Sequence, residues 1–333
     1  MPKTLAEVRG IPDHLQTAPI RGALSGLQAT IALWRAARRL TAPHELIIAH
    51  WLLPCGLVAT HLGPTRPGHG KAPVHGVAHG GDIALLEQLP GGRKIARRID
   101  TSLAGITFVS DDLRARFATL LGRPAQCRVA VLPMGIAPTS GSTEFAHRVS
   151  RMAKGRRVVL TVGRLTPIKG LHVLVEALRQ VDDVVWMCAG DGPEADRLQL
   201  LSEANGIDQI ALGVVSPAQR DALLSIADVF VLPSLPQGRR TEGTPTALLE
   251  ALAAGTPCIV SDTGGVGAAA RVADAAVVAP GDPSALRGML LALLADGPRR
   301  KAMSMAHRRV GERYLWDEIG AQHAAEFGKS CGH

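Results

Sequence analysis

At 333 residues, with 46% apolar and 20% charged residues, the chain has the composition of a folded protein of about two domains rather than a disordered one. Aromatic residues make up 3%, too few for the stacking platforms of single-stranded nucleic-acid binders; no apolar run reaches the ~18–20 residues of a membrane span, and Met1–Gly10 lacks a signal-peptide core. The net charge of +8 lies wholly in residues 1–150, with 17 Lys and Arg against 9 Asp and Glu, and five scattered cysteines without a Cys-x-x-Cys pair fit a reducing cytoplasm.

Residues 1–27 contain Pro2, Pro12, Pro19, Gly10, Gly22 and Gly26 and no buried strand, although a doubly wound nucleotide-type domain normally opens with one. Ile31–Leu40 reads as a helix with Arg35, Arg38 and Arg39 beside Leu33, Trp34 and Leu40. Such a helix can lie at an anionic membrane surface, but its short stripe, interrupted by alanines, better fits a core-packed helix with solvated arginines. From Ala42 onward apolar runs predict strands over Leu46–His50, Val74–Ala78, Gly105–Ser110 and Arg128–Leu132. Further strands are predicted over Arg157–Val162, Asp183–Ala189, Gln209–Leu212, Val229–Leu232, Cys258–Ser261 and Ala276–Val278. Helical patterns lie between them, including Asp111–Leu121, Gly170–Gln180, Pro193–Asn205, Pro217–Ala227 and Pro245–Ala254. That alternation means βαβ units and mainly parallel sheets. The polar stretch Gly135–Lys154 reads as a linker. Residues 1–150 and 151–315 are therefore expected as two doubly wound domains, with a helix over 316–330 packing back on the first.

Three segments carry chemistry. In Val158–Gly170 a buried strand runs into Gly163, and Arg164 and Lys169 flank a Pro-containing loop that opens on a helix. Backbone amides, helix dipole and two cations suit a diphosphate there, although a loop with two solvated cations fits the pattern as well. In Glu242–Pro257, Thr244 and Pro245 fit the N-cap and first turn of a helix that Gly255 ends. Glu242 and Glu250, at roughly 12 Å or more apart, are too distant to serve one glycosidic bond as acid and base. They are left as grips on two ends of a long ligand, or as solvated charges. His79 leaves a strand at a Gly80-Gly81-Asp82 turn, the edge where parallel sheets bind ligands. His75 and His79 would lie about 13 Å apart on a strand, so no metal is expected. Gly265–Ala270 fits a dinucleotide fingerprint, but Ala276–Val278 follows too soon for the roughly ten-residue helix of such a unit.

Taken in order, Gly163-Arg164-x4-Lys169-Gly170, Ala189-Gly-Asp-Gly-Pro-Glu194 and Glu242-x7-Glu250 make residues 45–328 resemble a family 4 glycosyltransferase. Ala227–Ser234, Thr263-Gly-Gly265, Pro280–Pro283, Ala49–Pro54 and the His79–Asp82 turn support the resemblance. It implies the α/β GT-B fold, two Rossmann-like doubly wound domains facing a cleft, and a retaining, metal-independent transfer from a nucleotide-diphosphate sugar to a hydroxyl acceptor, with no cofactor. It further implies that Arg164 and Lys169 bind the diphosphate and Glu250 the ribose. Glu242, with the amides of Gly243 and Thr244, would face the sugar; Val215 and its neighbours Leu212–Val214 would face the base, and His79 would meet the sugar from the other domain. Nothing here matches the family's opening strand and Gly-rich loop, so the N-terminal domain is expected to be incomplete by two or three elements. Val266–Arg271 also lacks the glutamate that usually follows the glycine pair. An active enzyme, in the cytoplasm or at the inner face of the membrane, is the first reading. A degenerate homologue that holds the nucleotide without transfer is the second.

Overall fold

The structure, a computed structural model, describes residues 19–39, 45–61, 72–138, 140–238 and 240–331. Two compact units result: Met1–Pro133 with Ala321–His333, and Met134–Gly320. The boundary thus falls at 133/134, not after 150. Thr143–Ala153 forms a helix where a linker was expected. Ser142 caps it through a hydrogen bond from the Phe145 amide, and Phe145, Val149 and Ala153, spaced four apart, bury its face in the second unit's core.

The first unit is built on a parallel four-stranded sheet, β1 (Ile47–His50), β2 (Val74–Ala78), β3 (Gly105–Phe108) and β4 (Arg128–Val131), in that order. The expected extension of β3 to Ser110 does not form, because Ser110 instead accepts from the Leu113 amide and starts the helix Asp111–Leu121. Ahead of β1, the helix Pro19–Ala37 is the first described element. The C-terminal helix spans Trp316–Ser330, and its residues from Ala321 group with this sheet, where Ser330 hydrogen-bonds His75 at 2.8 Å.

The second unit holds β5 (Arg157–Val162), β6 (Val184–Ala189), β7 (Gln209–Gly213), β8 (Val229–Leu232), β9 (Cys258–Ser261) and β10 (Ala276–Val278). They form one parallel sheet in the order β10-β9-β8-β5-β6-β7. Both faces are covered, so its strands are continuously apolar rather than alternating. Val158, Leu160, Phe230 and Leu232 enter the core on one side, Val159, Val229 and Val231 the core on the other. Every expected strand is present. The space between β9 and β10, read as too short for a helix, holds one of nine residues, Gly264–Val272.

Candidate active site

The order of the second sheet reverses between β5 and β8. From β5 the chain steps outward to β6 and β7, then returns to lay β8 on the other side of β5. Loops leaving the two central strands diverge there and open a crevice at the strands' carboxyl ends, the place where such sheets bind ligands. The loop after β5 carries Arg164 and Lys169; the loop after β8 carries Ser234, Glu242, Gly243 and Thr244.

Glycines let these loops approach. Gly163 has φ 144° and donates its amide to the Ala189 carbonyl at 3.0 Å, while a Cβ on Gly190 would overlap the Gly163 carbonyl. Lys169 ends a single turn of 3-10 helix, Pro167–Lys169, closed by Gly170 at φ 62°; a Cβ on Gly170 would overlap the Pro233 carbonyl. The Leu235 amide donates to the Ile168 carbonyl at 2.8 Å, lacing the two loops together.

Across the crevice Lys169 Nζ lies 2.6 Å from Glu242 Oε1, with both side chains largely buried. The buried Ser234 hydroxyl donates to Glu242 Oε2 at 2.5 Å, so each carboxylate oxygen has a partner. Behind Glu242, the Gly265 amide donates to its carbonyl at 3.0 Å, and a Cβ on Gly264 would overlap that same carbonyl. The glycine pair of Thr263–Gly265 therefore seats the Glu242 loop. Arg164 is exposed at the start of its loop, between Gly163 and the Leu165 amide, which donates to Asp191 at 2.8 Å.

The helix after Glu242 begins one residue later than expected. Pro245 occupies the N-cap, without a side-chain cap bond, and the helix runs Thr246–Ala254 to Gly255 in the left-handed region. Glu250 does not share Glu242's partners. Its Oε1 pairs with Arg220 Nη1 at 2.5 Å, and Arg220 also grips Asp221 at 2.7 Å. Burial pushes the Glu250 carboxyl up, Arg220 pulls it down and Asp221 adds to the rise. Glu250 and Arg220 line a cavity of about 430 Å³, with Ser142, Thr143, Ala222 and Ala254 among its walls. Val215, expected against the base, packs partly on the core, whereas Val214 beside it is 81% exposed.

In the first unit, His79 follows β2 and enters the Gly80 turn, where φ is 107°. The residue that organises this turn is Asp82, fully buried. Its Oδ1 accepts from the amides of His79, Gly80 and Ile83 at 3.1, 2.9 and 3.0 Å, and its Oδ2 accepts from Leu52 at 2.8 Å. His79 Nε2 lies 2.9 Å from His50 Nδ1, so one ring donates and the other accepts. Burial, with His50 and His323 nearby, lowers the His79 pKa to about 4. At neutral pH His79 is an uncharged hydrogen-bonding group. His75 turns elsewhere, buried against Thr107 and Ser330. Sequence reading singled out neither Asp82 as the turn's anchor, nor His50, Ser234 and Arg220 as partners of the expected residues.

Residues 142–310 match the family model described as glycosyl transferases group 1. The GDP-mannose-dependent alpha-(1-6)-phosphatidylinositol monomannoside mannosyltransferase of Mycobacterium tuberculosis is 31% identical over 299 residues, 86% of this chain and 76% of the relative. The 2-deoxystreptamine glucosyltransferase of Streptomyces kanamyceticus is 26% identical across 98% of this chain and 89% of its own length. Among solved structures, Anabaena HepE in complex with UDP and glucose superposes with a TM-score of 0.75 at 18% identity, covering 96% of this chain and 84% of that one. Two parallel α/β units, a cation–carboxylate crevice at the second sheet's switch point and these likenesses converge: the fold is GT-B, and the chain belongs to the glycosyl transferases group 1 family.

Proposed function

We propose that the protein transfers a hexosyl group, with retention, from a nucleoside-diphosphate sugar to a hydroxyl acceptor, without a metal ion. The observation that carries this reading is the Lys169–Glu242 pair spanning the switch point, which sets a cation for the leaving diphosphate beside a carboxylate for sugar hydroxyls. In the transfer, the bond from the anomeric carbon to the diphosphate oxygen breaks while the acceptor oxygen bonds the same face. The acceptor's proton passes to the departing phosphate oxygen. Negative charge grows on the diphosphate as an oxocarbenium-like centre forms, and Lys169 and Arg164 answer that charge where it grows. Glu242 and the amides of Gly243 and Thr244 hold the sugar, Glu250 the ribose, and the segment Leu212–Val215 the base. His79, neutral, is assigned to a hydroxyl of the transferred sugar.

GDP-mannose and UDP-glucose are the donors to screen, because relatives and structural neighbours carry those names. Release of nucleoside diphosphate with an acceptor present, and an α-linked product by proton NMR, is the expected result. A β-linked product would overturn retention. Arg164→Ala and Lys169→Ala should each weaken nucleoside-diphosphate binding by about 1.5–3 kcal/mol, roughly 10–150-fold, and leave nucleoside binding nearly unchanged. Calorimetry showing equal losses for both ligands would remove the phosphate role.

The acceptor is proposed to be presented at an anionic membrane surface. No helix among the described residues is long and apolar enough to cross a membrane. Leu27, Ile31 and Trp34 follow one face of the first helix and are 58%, 40% and 37% exposed. The Arg38 guanidinium stacks 4.7 Å from the Trp34 ring centre. Ile31 and Trp34 also line an apolar cavity with Leu57, Val58 and His61; of the expected set, Trp34 is on this face, Leu33 is half-buried and Leu40 lies outside the described residues. Co-sedimentation with phosphatidylglycerol vesicles should fall roughly 100-fold when Arg35, Arg38 and Arg39 become Gln, at about 1 kcal/mol each. An unchanged bound fraction at low salt would exclude this helix.

A further inference from the structure

We propose that Arg220 is a positioning residue, holding Glu250 as an oriented carboxylate where the donor's ribose is read. The inference rests on the assignment of Glu250 to the ribose. Arg220 is itself fixed from its backbone upward. It sits in the helix Pro217–Ile226, whose start is locked by a reciprocal cap: the Gln219 amide donates to Ser216 Oγ at 3.3 Å, and the Ser216 amide donates to Gln219 Oε1 at 2.9 Å. Asp221 Oδ1 then accepts from Nε at 2.7 Å and pairs by charge with Nη2 at the same distance, Nη2 making no hydrogen bond of its own among the described residues. Only the Nη1 edge is left to point at Glu250, and it meets Oε1 at 2.5 Å.

The triad is mostly sheltered, Arg220 and Glu250 each with side chains 15% exposed and Asp221 with 12%. A carboxylate so placed would favour its protonated form without a cation, and a protonated carboxyl is a weaker acceptor for two vicinal hydroxyls. Arg220 and Asp221 are the charged groups that share the cavity with Glu250; the remaining lining, Pro138, Gly141, Ser142, Thr143 and Ala146 with alanines and a serine of the two helices, is uncharged. A fork of fixed donors can bind Asp221 and Glu250 at once with both ends oriented. An ammonium, a point charge on a flexible stem, restores charge without that orientation.

The test is calorimetry with GDP and UDP and their 2′,3′-dideoxy counterparts at about pH 6 and about pH 8.5, on Arg220→Met, Arg220→Lys and Glu250→Gln. Arg220→Met should weaken the ribose-bearing nucleotides about 10-fold at the lower pH. The loss should shrink at the higher pH, because a carboxyl that has lost its cation is more fully ionised there than at the lower pH. Dideoxynucleotide affinity should be unchanged at both. Arg220→Lys should recover the charge-dependent part alone and lie between. Equal loss for ribose and dideoxyribose at both pH values would make Arg220 a tie between helices only and overturn the proposal. If Glu250→Gln fails to separate ribose from dideoxyribose, the ribose assignment itself falls and this inference with it. If Glu250→Gln separates them and Arg220→Met does not, only the positioning role falls.

Discussion

Replacing Glu242 by Gln is expected to tighten nucleoside-diphosphate binding several-fold while slowing transfer by about 10²–10³. The two effects have opposite signs because the proposed reading gives Glu242 two jobs. In the free protein its Oε1 is 2.6 Å from Lys169 Nζ, so an incoming diphosphate competes with an internal anion for the same ammonium. Glutamine keeps the shape and the Ser234 contact but gives Lys169 up more readily. On the proposed assignment the carboxylate faces, in the transition state, a sugar that is gaining positive charge, and a neutral amide stabilises it less. Lys169→Ala, by contrast, should weaken both binding and turnover. Calorimetry with nucleoside diphosphate and steady-state kinetics separate these outcomes. A Glu242→Gln variant with normal turnover, or with weaker diphosphate binding, would show that the pair is a structural tie and not the reacting site.

The second large effect is expected on stability. Asp82→Ala should destabilise the first unit by about 3–5 kcal/mol, because four amide donors around a fully buried side chain lose their acceptor together. For a unit of this size that lowers the melting temperature by roughly 6–20 °C. Asp82→Asn should lie between. Its Oδ1 can still serve the amides of His79, Gly80 and Ile83, but its Nδ2 would face the Leu52 amide, donor against donor. Differential scanning calorimetry decides. An alanine variant melting within about 2 °C of the parent would mean that water replaces the carboxylate at little cost.

The inner strands were legible because a sheet covered on both faces writes short, bounded apolar runs, whereas the partly exposed edge strands β1, β4 and β7 were legible from their β-branched and aliphatic residues. The errors have local causes. Thr143–Ala153 was read as linker since Pro138, Gly141 and the surrounding hydroxyl residues dominate its neighbourhood, although Ser142 and the spacing of Phe145, Val149 and Ala153 carried the helix signal. The stretch before Ala276–Val278 looked too short for a helix because its glycines and alanines carry little pattern, yet it holds the helix Gly264–Val272. Of the expected site, Lys169 and Glu242 meet, and Glu250 stands apart with a partner of its own. The partners themselves were hidden. Arg220 lies 30 residues from Glu250 on a helix whose polar residues read as a solvated face, and Asp82 is one acid among 29 until the fold brings Leu52 to it.

The socket that Gly264 and Gly265 form for the Glu242 carbonyl bears on how donor preference could change over evolution or by design. The loop that carries Glu242 is not a free appendage whose tip can be rewritten, since its backbone is keyed to the start of a helix behind β9. A side chain at 264 would push that carbonyl outward and drag the carboxylate off Lys169. If the proposed reading holds, new sugar preferences are therefore most accessible through substitutions that leave this key and its socket as they are.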